Sequence, residues 1–264
     1  MRKISYSQIS TYLRCQKLWK HIYKDGFKQP SNEHMEFGTL VHNVLESRII
    51  PDEGQYLHLK ETFGITSWEI YFGIIFKELD EMFGHLNEFG TELVVETNMF
   101  IGIVDKVYKL DDGDFLLLDY KTTARDKVYE DMKRDKQLYF YAYLFSKVYS
   151  VPISRIKIGY INIPKSNVGK PKLLKSGKLS TAKTQNTTYE LFYEAIKENN
   201  LFPSHYKEYL ESLKEFKIVS MVSTYVDVDV VNELLEIIEL VMKDMEKGYT
   251  LPCHNCDCIK GENK

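Results

Sequence analysis

Apolar positions recur along the chain with two different periods, and the change between them marks where helices give way to strands. Phe37, Leu40, Val41, Val44 and Leu45, with Arg48 further along the same stripe, fall at i, i+3, i+4, i+7, i+8 and i+11, one face of an amphipathic helix. Before it, Ile9, Tyr12, Leu13, Trp19, Ile22 and Tyr23 predict a helix from Ser5 or Ser7 to about Lys24, with Cys15 inside it. After it, Tyr71, Ile74, Ile75, Met82, Phe83 and Leu86 predict a third helix between Ser67 and Phe89. The period then drops to two, and residues 93–99, 101–110 and 115–121 read as strands. A long helix over 127–149, a strand over 156–163, a helix over 188–198, strand character over 216–228 and a helix over 230–247 complete the pattern. Such alternation predicts an α/β fold, a central mixed sheet flanked by helices. No internal repeat or low-complexity tract interrupts it.

The turn Asp111-Asp112-Gly113 admits two registers. A two-residue turn at Asp112-Gly113 pairs Asp111 with Asp114 and sets Asp119 opposite Lys106. A three-residue loop with Gly113 in the left-handed region pairs Leu110 with Asp114 and sets Asp119 opposite Asp105. Only the second puts both carboxylates on one face, whereas Asp119 and Lys121 share a face in either case. At a cross-strand spacing of roughly 5 Å and an effective dielectric near 20, two carboxylates repel by about 3 kcal/mol. A hard cation such as Mg²⁺, which takes carboxylate oxygens and keeps waters, relieves that repulsion. Lys121 points at the same place and can orient a water or stabilise charge on a phosphoryl group. The flanking Leu116-Leu117-Leu118 and residues 101–107 are those of a buried hairpin, where unpaired carboxylates are uncommon. The alternative is a surface hairpin with solvated carboxylates.

Composition narrows the class. At 264 residues, 44% hydrophobic and 28% charged, the chain reads as one elaborated folded domain and not as a disordered or fibrous segment. The start lacks an apolar signal core and no stretch of 18 apolar residues occurs, which predicts a cytoplasmic protein without a membrane partner. A net charge of −3 argues against a nucleic-acid partner, but it averages unlike regions. Residues 1–30 carry seven Lys/Arg against Asp25 alone. A loop with Lys165, Lys170, Lys172, Lys175, Lys178 and Lys183 contains no acid, and suits contact with a phosphate backbone. Four cysteines are too few for a disulfide scaffold, and three crowd into Cys253, Cys256 and Cys258, a spacing that suggests a metal or cluster site. Phosphate-loop, dinucleotide, serine-hydrolase and zinc-protease signatures are missing.

GIVD at 102–105 and LLLDYKTT at 116–123 resemble motifs II and III of the PD-(D/E)xK nucleases. FGTLVHNVLE places His42 where the RecB-like branch has its motif I histidine, and QLYFY at 137–141 resembles that branch's QxxxY motif. The match spans about residues 35–165. It implies a restriction-endonuclease-like core in which His42, Asp105, Asp119 and the Tyr120 carbonyl hold Mg²⁺ or Mn²⁺ and Lys121 is the catalytic lysine. Gln137 and Tyr141 would contact nucleic acid or brace the site. Glu46, one turn beyond His42, reads either as a partner of that histidine or as a solvated helix residue. The segment ISYSQISTYLRCQKLWKHIY resembles the opening of RecB-like nucleases with a 4Fe-4S cluster, a type found in the CRISPR-associated RecB-like exonuclease, the AddB nuclease domain and phage nucleases. Here Cys15 would join Cys253, Cys256 and Cys258, stapling residues 1–30 to 230–264, with residues 164–215 as a helical and basic-loop insertion. Gln16 stands where that family usually has proline, and Cys256 and Cys258 are closer than its usual last spacing. A structural Zn²⁺, with His254 recruited, is the alternative. The resemblance implies a deoxyribonuclease, an exonuclease on DNA ends or single strands in phage or bacterial recombination, repair or CRISPR adaptation, with a helicase or recombination partner. The rival is a non-catalytic DNA-binding or adaptor subunit of a helicase–nuclease complex. Oligomeric state is left open.

Overall fold

The computed structural model describes residues 3–28, 30–182 and 185–247. Strands β1 (Ile4–Ser5), β2 (Asn87–Glu96), β3 (Phe100–Lys109), β4 (Phe115–Thr123), β5 (Ile156–Pro164) and β6 (Ser220–Tyr225) form one mixed sheet in the order β1-β3-β4-β5-β6, with β2 paired to β3. The helices are α1 (Tyr6–Arg14), α2 (Gln16–Tyr23), α3 (Glu33–Ser47), α4 (Leu57–Phe63), α5 (Trp68–Phe83), α6 (Tyr129–Asp135), α7 (Gln137–Tyr149), α8 (Tyr189–Glu198), α9 (Lys207–Lys214) and α10 (Val228–Lys247). The α/β architecture expected from the alternating pattern is present. No helix among the described residues is long and apolar enough to cross a membrane.

The β3–β4 hairpin takes the three-residue loop. Leu110 N–H donates to the Asp114 carbonyl at 2.8 Å, Gly113 N–H donates to Leu110 at 2.9 Å, and Gly113 has φ +82°. The ladder then pairs Lys109 with Phe115 through to Lys106 with Leu118, so the next position in register sets Asp105 opposite Asp119. There the strands part. In a continued antiparallel ladder Tyr120 N–H would reach the Val104 carbonyl. It donates instead to Asp105 Oδ2 at 2.7 Å. Further along the same edge of β3, β1 pairs in parallel with Phe100 and Ile101. The edge between, Gly102 to Asp105, carries no ladder among the described residues, and the site lies in this fork.

Both faces of the sheet are covered. On one, α1, α2, α7 and α10 bury Ile9, Tyr12, Trp19, Leu138, Phe145, Leu234 and Ile238 in one cluster with Val104 and Val107. On the other, α3, α4 and α5 bury Phe37, Val41, Leu59, Trp68, Tyr71 and Phe72 against Leu118 and Ile161. The predicted stripe of α3 is buried from Phe37 to Leu45. Arg48 does not continue it. It ends the helix in the left-handed region, pairs with Asp80 at 2.8 Å and lies over the Phe76 ring. A third cluster joins Leu179 to Phe192, Ile196, Leu210 and Leu213, under the segment that follows β5.

Two predicted helices are broken in the structure. Cys15 is not inside a helix but extended (φ −162°), and its Sγ accepts from Leu18 N–H at 3.3 Å, capping α2. The helix over 127–149 divides at Lys136, which takes φ +59°, so Gln137 begins α7. Neither break carries Gly or Pro, and the left-handed turn at Lys136 opposes that residue's intrinsic preference. Helix α5 stops at Phe83, short of Phe89, because the chain enters β2 at Asn87. Helices α4 and α9 were not foreseen, and β6 is shorter than the predicted strand.

Candidate active site

Four elements deliver the predicted residues to the fork. His42 projects from α3, where its Nε2–H donates to the Tyr120 carbonyl at 2.9 Å and its Nδ1 lies 3.4 Å from Asp105 Oδ2. Asp105 comes from β3 and Asp119 from β4, and the two are only 8% and 4% exposed. Lys121, two residues beyond Asp119 on the same face, places Nζ 2.7 Å from Asp119 Oδ2. That contact is an ion pair at an angle that leaves Oδ2, a buried acceptor, without an aligned hydrogen bond among the described residues. Lys121 also donates to Gln137 Oε1 at 3.0 Å, and Gln137 Nε2 donates to the Tyr141 hydroxyl at 2.9 Å. Gln137 and Tyr141 stand one turn apart on α7, so the amide is held between two partners and its orientation is set.

Gly102 explains how closely α7 approaches β3. A Cβ at this position would lie 2.8 Å from Tyr141 Cδ1 and 2.9 Å from its Cε1. Glycine is thus required here for packing of the Tyr141 ring, not for backbone freedom.

The electrostatics follow from burial. Desolvation pushes the Asp105 carboxyl well above the usual range, and the neighbouring Asp119 adds to it, while the Tyr120 N–H opposes. Burial alone would depress the Lys121 ammonium. The charge of Asp119 beside it outweighs that, and the net shift is upward. Lys121 therefore stays protonated, suited to stabilising negative charge and not to accepting a proton. Two buried carboxylates, an imidazole and a backbone carbonyl make a donor set of hard oxygens and one nitrogen, which suits a divalent cation such as Mg²⁺ or Mn²⁺, with the Lys121 ammonium beside it.

The profile of the PD-(D/E)XK nuclease superfamily matches residues 3–258. The chain belongs to the PD-(D/E)XK nuclease superfamily. Among solved structures, a candidate exonuclease from Eubacterium rectale superposes with a TM-score of 0.54 at 12% identity, covering 99% of this chain and 88% of that one. EndoMS in a complex with double-stranded DNA (TM-score 0.23, 15% identity, 52% and 43% covered) and SSO0001 (TM-score 0.30, 12% identity, 90% and 76% covered) are more distant. No curated protein matches.

As in other PD-(D/E)XK nucleases, divalent metal is expected in the fork, and the residues there fit it. One acidic residue near it was not singled out from the sequence. Glu92 on β2 approaches His42 and Asp105 so that one ligand atom of each lies within 4.8 Å of the others. Glu46 is exposed on α3, in keeping with a solvated helix residue.

The other predicted sites fall elsewhere. Cys15 is buried between α1 and α2, beside α10, where Asp244 accepts from the Tyr12 hydroxyl at 2.7 Å and from Gln16 Nε2 at 3.1 Å. A cavity of about 580 Å³ opens there, lined by Cys15, Tyr12, Leu240 and Asp244. Cys253, Cys256, Cys258 and Lys183 lie outside the described residues. Of the basic loop, Lys165 is half-buried where its N–H donates to the Thr123 carbonyl at the end of β4. Lys170 spends its charge on Glu198 and Glu194, at 2.6 and 3.3 Å. Lys172, Lys175 and Lys178 are exposed around a small hairpin in which Leu173 bridges Leu179 and Gly177 makes the turn.

Proposed function

We propose that the chain is a divalent-metal-dependent nuclease that hydrolyses DNA phosphodiester bonds, working from ends or on single strands. The observation that carries this reading is the fork itself. It brings His42, the Tyr120 carbonyl and two buried carboxylates to one point beside an ammonium that is held charged. Asp105, Asp119, His42 and the Tyr120 carbonyl would hold the cation. Once bound, it would supply Lewis-acid activation of the scissile phosphate and of a water.

The chain's own groups do the rest. Lys121 places a fixed positive charge where a phosphoryl oxygen or a leaving alkoxide gains negative charge. Asp119 keeps that charge in place from one side. Gln137, oriented by Tyr141, holds the ammonium from the other. The Lys121 ammonium also lies over the Tyr160 ring, 5.2 Å from its centroid, which limits its swing. The exposed Lys172, Lys175 and Lys178 hairpin extends from the same end of β4 and β5 and would grip the backbone without reading bases.

Action on ends or single strands extends the family reading, and the superposed candidate exonuclease is consistent with it. End-labelled single- and double-stranded DNA incubated with Mn²⁺ or with EDTA tests the whole reading. Degradation should need metal and should vanish in Asp119→Ala. Digestion that survives Asp119→Ala, or none in any metal, would sink it. For the cysteines we propose a 4Fe-4S cluster, because Cys15 is buried beside the helix whose last described residue, Lys247, precedes Cys253 by a few positions. Anaerobic purification with iron, sulfide and zinc analysis tests this. A colourless protein with stoichiometric zinc assigns the site to zinc instead.

A further inference from the structure

We propose that Glu92 is a protein ligand of the divalent cation, binding it from the β2 side of Asp105; this rests on the metal-dependent reading above. Three observations on different elements converge on it. The first is register. Thr91 pairs with Lys106 and Leu93 with Val104, so Glu92 stands directly across from Asp105 on one side, as Asp119 does on the other. Asp105 is the middle of a row of three carboxylates on three adjacent strands.

The second is how that register arises. Between Glu88 and Gly90 the β2–β3 pairing slips by one residue. Without the slip, Thr91 would face Asp105 and Glu92 would face Val104. A bulge re-aims the residues that follow it, and here it turns a carboxylate toward the fork.

The third is the company Glu92 keeps. No hydrogen-bond donor or cationic side chain among the described residues contacts its carboxylate. Its neighbours are His42 and Asp105, with ligand atoms within 4.8 Å. On the far side of Asp105, Asp119 Oδ2 differs in having the Lys121 ammonium 2.7 Å away. Like charges set face to face across a ladder are destabilising. Glu92 adds a cost of its own, since it takes φ +46° inside a strand, a conformation that favours glycine. A cation shared by these oxygens and the His42 imidazole compensates for both. A purely structural role offers little in exchange, because among the described residues the side chain makes no hydrogen bond or ion pair and only His42 stands near as a favourable group.

The test is calorimetric titration of the full chain with Mn²⁺ alone, without DNA, beside thermal melts in EDTA. Glu92→Gln should bind Mn²⁺ about tenfold more weakly or worse. Glu92→Gly should lose affinity likewise while its metal-free melting temperature rises, since both the repulsion and the backbone strain are gone. Glu46→Gln removes a nearby charge from the exposed side of α3 and should change affinity by less than about threefold, because exposed charges are screened. Glu92→Gln binding as tightly as wild type overturns the assignment. So does an equal loss in Glu46→Gln, which would reduce the effect to net charge. Asp105→Asn separates the two levels of argument. If it too binds Mn²⁺ normally, the metal-dependent reading falls; if it alone loses binding, only the role of Glu92 falls.

Discussion

Replacing Gly102 by alanine tests whether the contact between α7 and the fork matters to the chemistry. The added Cβ would stand 2.8 Å from Tyr141 Cδ1, 2.9 Å from Cε1 and 3.3 Å from Leu144 Cδ1. Carbon atoms at ease are roughly 3.5 to 4.0 Å apart, so the ring must retreat by about 0.8 Å. Tyr141 is buried and has little room for that. Overpacking of this kind costs about 1 to 3 kcal/mol, and the gain from replacing glycine in a strand returns about 0.5 to 1 kcal/mol. A net loss of up to about 2.5 kcal/mol in urea denaturation is expected. The effect on activity should be larger than stability alone explains. Retreat of the ring stretches the 2.9 Å contact from Gln137 Nε2 to the tyrosine hydroxyl and frees the amide that holds Lys121. Displacing a positioning chain by about 1 Å can cost on the order of a hundredfold in rate. Single-turnover cleavage of end-labelled DNA in saturating Mn²⁺ measures it. A double-mutant cycle with Tyr141→Ala isolates the cause: with the ring gone, Gly102→Ala should cost less than about 0.5 kcal/mol. An equal cost in both backgrounds, or full activity in Gly102→Ala, would refute the reasoning.

Three further outcomes follow from the same geometry. Lys121→Met should reduce cleavage by about a hundredfold or more while DNA binding in EDTA changes little; unchanged single-turnover rates would remove Lys121 from the chemistry. The folded Asp105 carboxyl titrates above its unfolded value, so the metal-free native state retains a proton that the unfolded chain has released, and stability falls as pH rises from about 4 toward about 8. Asp105→Asn should therefore raise the melting temperature in EDTA more at pH 8.5 than at pH 5, and an equal gain at both would show that no proton is coupled to folding there. Replacing Lys172, Lys175 and Lys178 by alanine should flatten the dependence of DNA affinity on salt by up to about three contacts' worth, near 0.9 in slope for each; an unaltered slope in a binding titration would place the DNA elsewhere.

The parts of the site that were legible beforehand depend on short-range chemistry. Gly113 can take a left-handed φ at no steric cost, which both candidate turns require, and the structure has the three-residue loop. Strand alternation then carries that register along the hairpin to Asp105 and Asp119. The apolar stripe of α3 likewise orients His42 through helical period alone. Glu92 could not be found this way. Its place across from Asp105 depends on a one-residue slip near Phe89 and on a backbone angle that its residue type disfavours. Glu78 is a similar case: its buried carboxylate accepts from Ile218 N–H and Val219 N–H, on a segment far along the chain.

By itself, then, the amino-acid sequence determined the alternating α/β pattern and the placing of Asp119 and Lys121 on one face, and it narrowed the hairpin to two registers. Each follows from sterics acting over a few neighbouring residues. Tertiary structure alone decided where β4 parts from β3, that the helices break at Cys15 and Lys136, and that Glu92 turns toward Asp105. In these places packing between distant segments outweighs local preferences worth about 1 kcal/mol each, and no local signal records which segments will meet.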